Sequence, residues 1–138
     1  MFDLVFIIDD SPLERLISEM LIRRAAFARQ VLCFSSGQEA LDHLELNAAI
    51  PENLPELIFL DIQMPLMTGF DFLDRYLRLQ SQLTRSSVFY IMSSTLNDED
   101  FTTARNYKIV DKFLPKPLTA EMLDELSAAR EKENRAAE

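Results

Sequence analysis

The chain has 138 residues, of which 48% are hydrophobic, and a net charge of −9 at pH 7. This length suits one domain that buries enough surface to fold without disulfides or structural metals. The negative charge argues against binding to nucleic acid or to an anionic membrane. The single cysteine and single histidine exclude an internal disulfide and a zinc site built on cysteine or imidazole. We expect Cys33 to be a small buried apolar residue and His43 to lie on a helix surface.

The N-terminal segment is an apolar run that stops at Asp9, with no basic segment before it. It resembles neither a signal peptide nor a membrane anchor. No apolar stretch along the chain approaches the length of a membrane-spanning helix. We therefore expect a soluble, cytoplasmic protein whose partners are neither nucleic acid nor membrane.

Short apolar runs alternate along the chain with segments of helical periodicity. The predicted strands are, in chain order, Leu4–Ile8, Val31–Phe34, Leu57–Leu60, Val88–Met92 and Phe113–Leu114. Continuous runs rich in Val, Ile and Phe are typical of parallel strands that are buried on both faces.

The helices between these strands have recognisable starts. Ser11–Glu14 and Ser36–Glu39 have the serine and glutamate of a capping box. The third helix is predicted to begin near Thr68–Phe70, the fourth has acids at its start in Asn97–Asp100, and the fifth begins with Pro117–Thr119.

Apolar residues at helical spacing indicate which side of each helix meets the core. In the first helix these are Leu13, Leu16, Ile17, Met20 and Leu21; in the third, Phe70, Leu73 and Leu77; in the fifth, Met122, Leu123 and Leu126. Asn47–Pro55, with its prolines and asparagines, is predicted to be a loop.

Five strand–helix pairs predict an α/β fold, a doubly wound five-stranded parallel sheet with helices on both faces. We expect one domain over residues 1–129, followed by residues 130–138 as a charged extension of the last helix or a frayed tail. Ligands of open sheets of this kind bind at the carboxyl ends of the strands. The residues that follow each strand are therefore the candidates for function.

Polar side chains that could form one site follow four of the predicted strands. They are Asp9 and Asp10 after the first strand, Asp61 after the third, Ser93 and Ser94 after the fourth, and Lys116 after the fifth. Each could be an ordinary turn residue when taken alone. Together, three carboxylates need a counter-charge, and an oxygen-only set favours Mg²⁺ or Mn²⁺. Mg²⁺ is usually bound by one or two carboxylates together with waters and a phosphate oxygen. We therefore expect a phosphoryl group to complete the site, bound by the ammonium and a serine hydroxyl.

In these segments the sequence resembles the receiver domains of two-component signalling. The family pattern is present in Ile8–Ser11, Leu60–Gly69, Met92–Ser94 and Phe113–Pro117, and the resemblance covers roughly Phe2 to Ala129. It implies a sheet of order 2-1-3-4-5. It also implies a stand-alone response regulator that accepts a phosphoryl group from a histidine kinase or a phosphotransfer protein, and then switches a partner or relays the phosphate.

The resemblance further implies a role for individual residues. The implied roles are Asp61 as phosphoacceptor; Asp9, Asp10, Asp61 and the backbone carbonyl of Gln63 as ligands of Mg²⁺; Lys116 as the partner of the phosphoryl group; Ser93 and Phe113 as the switch hydroxyl and switch aromatic; and Gln63 and Thr95 as the side chains that tune dephosphorylation. The downstream protein target would contact the fourth helix, fifth strand and fifth helix, and the protein would be a monomer or a phosphorylation-dependent dimer.

Two alternatives share this fold class. A pseudo-receiver would act as an interaction module without phosphorylation, although this chain retains Asp10, Asp61 and Lys116. A haloacid-dehalogenase-type phosphatase would need a second aspartate two residues after the nucleophile, where this chain has Gln63. The resemblance implies a signalling phosphoacceptor, which is not an enzyme acting on a separate substrate.

Overall fold

A parallel five-stranded sheet runs through the centre of the computed structural model, which describes residues 1–95 and 97–137. The strands are β1 (Phe2–Ile8), β2 (Ala28–Phe34), β3 (Leu57–Asp61), β4 (Val88–Ser93) and β5 (Val110–Pro115). Their order is β2-β1-β3-β4-β5, and each neighbouring pair is parallel. The predicted doubly wound fold and strand order are confirmed.

Helices of the described residues pack on both faces of the sheet. They are α1 (Pro12–Arg24), α2 (Gly37–Leu46), α3 (Gly69–Leu79), α4 (Asp98–Arg105) and α5 (Ala120–Ala137), with short 3₁₀ turns at Pro51–Asn53 and Gln80–Gln82. One core lies between the sheet and α1 and α5, and a second lies between the sheet and α2, α3 and α4. Among the described helices, none combines the length and the hydropathy that crossing a membrane requires.

The two edge strands are longer than predicted. β2 begins at Ala28 rather than Val31, and β5 begins at Val110 rather than Phe113. The added residues include the exposed Arg29 and Asp111. Because an edge strand keeps part of its surface in water, its polar residues hide it from a search for continuous apolar runs.

The predicted starts of the first four helices are confirmed, whereas α5 begins at Ala120, directly after the predicted Pro117–Thr119. Two predicted capping boxes are only half formed. Ser11 and Ser36 accept hydrogen bonds from the backbone N–H groups of Glu14 and Glu39, as a capping serine should. Neither glutamate bonds back to its cap residue: Glu39 accepts from Ser35, and Glu14 accepts from a lysine discussed below. The complete capping box begins α3, where Thr68 and Asp71 bond reciprocally.

His43 lies on α2 as predicted, but it is only partly exposed. Its ring is partly buried against Phe6 and Phe34, at centroid distances of 5.3 and 5.6 Å, and Nε2 lies 3.1 Å from the carbonyl oxygen of Asn53. Leu77 was misassigned, because the buried face of α3 passes through Tyr76 and leaves Leu77 43% exposed. These contacts come from distant segments, which local periodicity does not show.

Two further positions differ from a simple core assignment. Cys33 is half-buried in β2 rather than fully buried, and burial raises the pKa of its thiol to about 11, so it stays protonated at neutral pH. In α1 the helically spaced residues are turned mainly to solvent. The exposed fractions are 65% for Leu13, 55% for Leu16, 42% for Ile17 and 44% for Met20, whereas Ile22 is fully buried.

Candidate functional site

The predicted site residues meet at one edge of the sheet, because the strands that carry them are parallel. Asp9 follows β1, Asp61 and Ser93 end β3 and β4, and Lys116 follows β5. The backbone N–H of Lys116 donates to the carbonyl of Ser93 at 2.9 Å, which fixes the end of β5 to the end of β4. This rim is the place where ligands bind in sheets of this topology.

Gly69, at the start of α3, lets the helix approach Asp61 closely. A Cβ atom at this position would lie 2.8 Å from the carbonyl oxygen of Asp61 and 2.8 Å from Cα of Ile62. The backbone N–H of Gly69 also donates to the carbonyl of Ile62 at 2.8 Å. A larger residue would therefore displace the segment that positions the Asp61 carboxylate.

Three carboxylates cluster at the rim. One oxygen from each of Asp9, Asp10 and Asp61 lies within 4.8 Å of the others. Asp9 and Asp61 are only 6% and 4% exposed, whereas Asp10 is exposed to solvent. An all-oxygen set with one side open to water has the chemistry of a Mg²⁺ site, because Mg²⁺ binds one or two carboxylates and keeps several waters.

Backbone groups orient the two buried carboxylates. Oδ1 of Asp61 accepts a hydrogen bond from the backbone N–H of Gln63 at 3.1 Å, and Oδ1 of Asp9 accepts from that of Ser11 at 2.9 Å. In each case the side chain bonds to the backbone two residues ahead, so the loop that follows the strand holds its own carboxylate.

Lys116 supplies the positive charge of the site. Its ammonium lies 2.7 Å from Oδ2 of Asp9, 2.5 Å from Oε2 of Glu14 and 3.3 Å from Oδ2 of Asp61. Burial by itself would lower the pKa of Lys116, but the hydrogen bonds from the ammonium to Asp9 and Glu14 outweigh it and raise the pKa above its usual range. Lys116 is therefore a fixed cation at any physiological pH.

The acidity of Asp61 is set by burial more than by its charged neighbours. Burial raises its pKa from 3.8 to about 6; Lys116 acts in the opposite direction, and Asp9 raises the pKa further. Without a bound cation the carboxyl group is thus partly protonated near neutral pH. Added positive charge at the rim would favour the ionised form.

Two loops are connected across the rim beside Asp61. The Gln63 side chain donates to Oγ1 of Thr95 and accepts from Oγ of Ser94, both at 3.0 Å. The Ser93 hydroxyl donates to the carbonyl of Thr95 at 2.7 Å and accepts from its N–H at 3.2 Å. Both hydrogen bonds of the Ser93 hydroxyl are therefore made to the backbone of its own loop.

Phe113 lies in β5 and is partly buried. Its ring meets that of Phe101 in α4 edge to face, with centroids 5.6 Å apart. The predicted switch aromatic thus connects β5 with α4, two of the elements predicted to contact a target.

Glu14 is a site residue that the sequence prediction missed. Its place at the third helical position predicts a role in the capping box of α1. Its side chain instead accepts a hydrogen bond from Lys116. An acid in the first turn of a helix that begins at the rim was the available signal.

Comparisons with known proteins agree with this geometry. The family model of the response regulator receiver domain matches residues 5–128. A two component response regulator from Cytophaga hutchinsonii has a similar structure, with a TM-score of 0.81, 26% identity, and coverage of 93% of this chain and 96% of that one. A response regulator receiver protein from Dyadobacter fermentans gives a TM-score of 0.76 and 31% identity, covering 89% and 93%.

Curated relatives include regulatory proteins from archaea and plants. The probable methanogenesis regulatory protein FilR2 of Methanothrix harundinacea is 24% identical over 120 residues, which cover 87% of this chain and 76% of that protein. The two-component response regulator ORR1 of rice (Oryza sativa) is 28% identical over 124 residues, and the chain spans 52% of its length.

Proposed function

The chain belongs to the response regulator receiver domain family, and we propose that it accepts a phosphoryl group on Asp61 from a histidine kinase or a phosphotransfer protein. The observation that carries the proposal is a buried carboxylate that lies beside two further acids and one nearly buried ammonium. This arrangement suits a doubly charged phosphoryl group that arrives with a cation. The protein would act in the cytoplasm as a signalling phosphoacceptor and as a monomer or a phosphorylation-dependent dimer.

In the proposed transfer, an oxygen of the ionised Asp61 carboxylate attacks the phosphorus of a phosphohistidine. The O–P bond forms as the N–P bond breaks, and the electron pair of the N–P bond returns to the imidazole of the donor. Lys116 donates a hydrogen bond to a phosphoryl oxygen as the charge on that group shifts. In the transfer itself Asp61 and Lys116 would contact the phosphoryl group directly, and the Ser93 hydroxyl would join them once that group is in place.

The metal-binding part of the proposal rests on the donor set. Asp9, Asp10, Asp61 and the backbone carbonyl of Gln63 would hold Mg²⁺, which when bound supplies positive charge to the phosphoryl group. Because Asp10 is exposed, the site stays open to the donor.

The output is a shift between two arrangements of the rim. Phosphorylation favours the arrangement in which the Ser93 hydroxyl leaves Thr95 and binds the phosphoryl group, because the phosphoryl oxygens accept a hydrogen bond from it. Phe113 packs on α4 and would change its position as the Ser93 hydroxyl moves away from Thr95. The surface formed by α4, β5 and α5, which a protein target would contact, would then change as well.

The phosphodonor must approach Asp61 from the rim, and exposed apolar residues border that approach. Leu13 in the first turn of α1 is 65% exposed, and Leu66 in the loop after β3 is fully exposed. Exposed apolar side chains with polar groups at their border are typical of a protein contact surface. We therefore infer that the donor protein covers the N-terminal half of α1.

Incubation with acetyl phosphate and Mg²⁺ tests the function without knowledge of the cognate kinase. Wild-type protein should acquire one phosphoryl group, and Asp61→Asn should acquire none. Asp42→Asn, which makes the same change at an exposed position on α2, is the matched control and should be phosphorylated at the wild-type rate.

A further inference from the structure

Glu14 contacts Lys116 from the first turn of α1, whereas the other acids of the site follow or end strands of the sheet. Its Oε2 lies 2.5 Å from the Lys116 ammonium, in a pair whose side chains are 36% and 11% exposed. The pair joins the first turn of α1 to the segment after β5, which are 102 residues apart in the sequence. An ion pair with one member nearly buried is held more firmly than a surface pair, because solvent screens it less.

The three acceptors of the ammonium are unequal. Glu14 and Asp9 are at 2.5 and 2.7 Å, within or below the usual length of a charge-assisted hydrogen bond, whereas Asp61 is at 3.3 Å. The ammonium thus lies closer to Glu14 of α1 and to Asp9 than to Asp61, the carboxylate that would carry the phosphoryl group.

Both ends of this pair are anchored through the backbone. Ser11 caps α1 by accepting from the backbone N–H of Glu14, and the backbone N–H of Lys116 donates to Ser93. The side chain of Lys116 is therefore the part free to exchange partners, while the two Cα positions stay in place.

We propose that Glu14 is a positioning residue that holds Lys116 toward α1 in the unphosphorylated protein and competes with Asp61 for the ammonium. The inference rests on the proposed phosphorylation of Asp61. A phosphoryl group on Asp61 brings new charged oxygens, so Lys116 exchanges its hydrogen bond with Glu14 for one to the phosphoryl group. The Glu14–Lys116 pair then favours the unphosphorylated state, and its loss lowers the barrier to phosphorylation.

The first measurement is the initial rate of phosphorylation by acetyl phosphate at a saturating Mg²⁺ concentration. Glu14→Gln should raise the rate about three- to tenfold, which corresponds to the loss of one partly buried ion pair. The matched control is Glu19→Gln, which removes the same charge from the same helix at a residue paired with Arg23 instead. It should leave the rate unchanged.

The second measurement separates positioning from simple charge repulsion of the donor. In a Lys116→Gln background, Glu14→Gln should have no effect on the rate if Glu14 acts through the ammonium. Affinity for beryllofluoride, a mimic of the phosphoryl group, gives a second readout and should tighten in Glu14→Gln by a similar factor when Lys116 is present. Equal acceleration with and without Lys116 would overturn the inference.

The outcomes distinguish this inference from the function on which it rests. A wild-type protein that takes up no phosphoryl group refutes the proposed function itself. A wild-type protein that is phosphorylated on Asp61, with an unchanged rate in Glu14→Gln, refutes only the role of Glu14.

Discussion

Single residues at the rim are held by partners that leave them little freedom. The carboxylates of Asp9 and Asp61 accept from the backbone two residues ahead, and the Ser93 hydroxyl bonds to Thr95. Lys116 donates hydrogen bonds to Asp9 and Glu14 and forms an ion pair with Asp61. Function therefore requires specific exchanges of hydrogen bonds, and each exchange can be tested at one residue.

The lifetime of the phosphorylated state should depend on Gln63 and Thr95. Their side chains bond to each other beside Asp61, and hydrolysis of the phosphorylated residue requires a water molecule aligned in line with the phosphorus. Because neither is ionised, they can orient or exclude the water but cannot act as strong bases. Gln63→Ala and Thr95→Ala should each change the rate of decay several-fold after removal of the donor.

Mg²⁺ affinity is the control for this experiment. It should stay near the wild-type value, because Gln63 is expected to bind the ion through its backbone carbonyl. Three indistinguishable decay rates would reject the tuning role of this pair.

The raised pKa of Asp61 predicts how the stability of the fold varies with pH in metal-free solution. A carboxyl group whose folded pKa lies near 6, above its ordinary 3.8, favours the folded state when protonated and opposes it when ionised. Wild-type stability should therefore fall relative to Asp61→Asn as pH rises from about 4 to about 7, by about 1–3 kcal/mol. Urea denaturation in EDTA across this range measures the difference, and a gap that does not vary with pH would contradict the assigned pKa.

Some of these residues could be located from the sequence and others could not. Asp9, Asp61 and Lys116 follow strands that the apolar runs mark, so the topology alone brings them together. Glu14 was assigned to a capping box because that role is local and its true partner is distant in sequence. The packing of His43 on β1 and β2 is hidden for the same reason, since its aromatic contacts are distant in sequence.

At the scale of secondary-structure elements, the C-terminal helix is joined to the sheet well beyond its predicted core residues. α5 continues to Ala137, and the Arg130 guanidinium lies 3.6 Å from the centroid of the Phe2 ring. Arg130 also bonds to Glu56 at 3.2 Å, and Glu56 accepts from the backbone N–H of Asp3. The division of the chain after residue 129 stays a prediction, but residue 130 contributes contacts to the same core.

Arg130→Ala should therefore destabilise the fold by about 1–2 kcal/mol, through loss of the cation–π contact and the ion pair. Arg135→Ala, at an exposed position on the same helix, is the control and should change stability by less than about 0.5 kcal/mol. Urea denaturation at neutral pH measures both. Equal effects of the two substitutions would show that the contact at Phe2 does not stabilise the fold.

The pH dependence of this effect follows from Glu56. Burial acts to raise its pKa, but the hydrogen bond from Asp3 and the pair with Arg130 outweigh burial and lower the pKa below its usual 4.5. The stabilisation by Glu56 is thus present above pH 4.5 and is lost as pH falls through the lowered pKa. The difference between wild type and Arg130→Ala should shrink over that range.

The element boundaries show where periodicity succeeds. Central strands are apolar on both faces, so β3 and β4 were predicted to within one residue, whereas the polar faces of the edge strands hid their first residues. The apolar spacing in α1 predicted a helix correctly, yet most of its apolar residues are exposed, since spacing does not reveal which face meets the sheet.

Across the whole molecule, the rim joins four strand ends, and α1 contributes an acid from its first turn. The three clustered carboxylates repel each other, and Lys116 is the counter-charge among the described residues of the site. A divalent cation that binds only the folded protein should therefore raise its stability.

Mg²⁺ should raise the Tm of the wild-type protein, and Asp10→Ala should lose most of that increase. Without Mg²⁺, Asp10→Ala should melt at the same temperature as wild type or higher, because removal of one carboxylate relieves repulsion. Asp98→Ala, at an exposed acid on α4, should keep the full response to Mg²⁺. An identical Mg²⁺ response in Asp10→Ala and wild type would contradict the ligand assignment.

The position of the phosphoryl group is the most direct test of the proposed function. After reaction with acetyl phosphate and Mg²⁺, borohydride reduction of the acyl phosphate, proteolysis and mass spectrometry identify the modified residue. We predict that the reduced residue is Asp61 and that Asp61→Asn yields no modified peptide. Modification at another carboxylate in wild-type protein, or undiminished modification of Asp61→Asn, would contradict the assignment of Asp61 as phosphoacceptor.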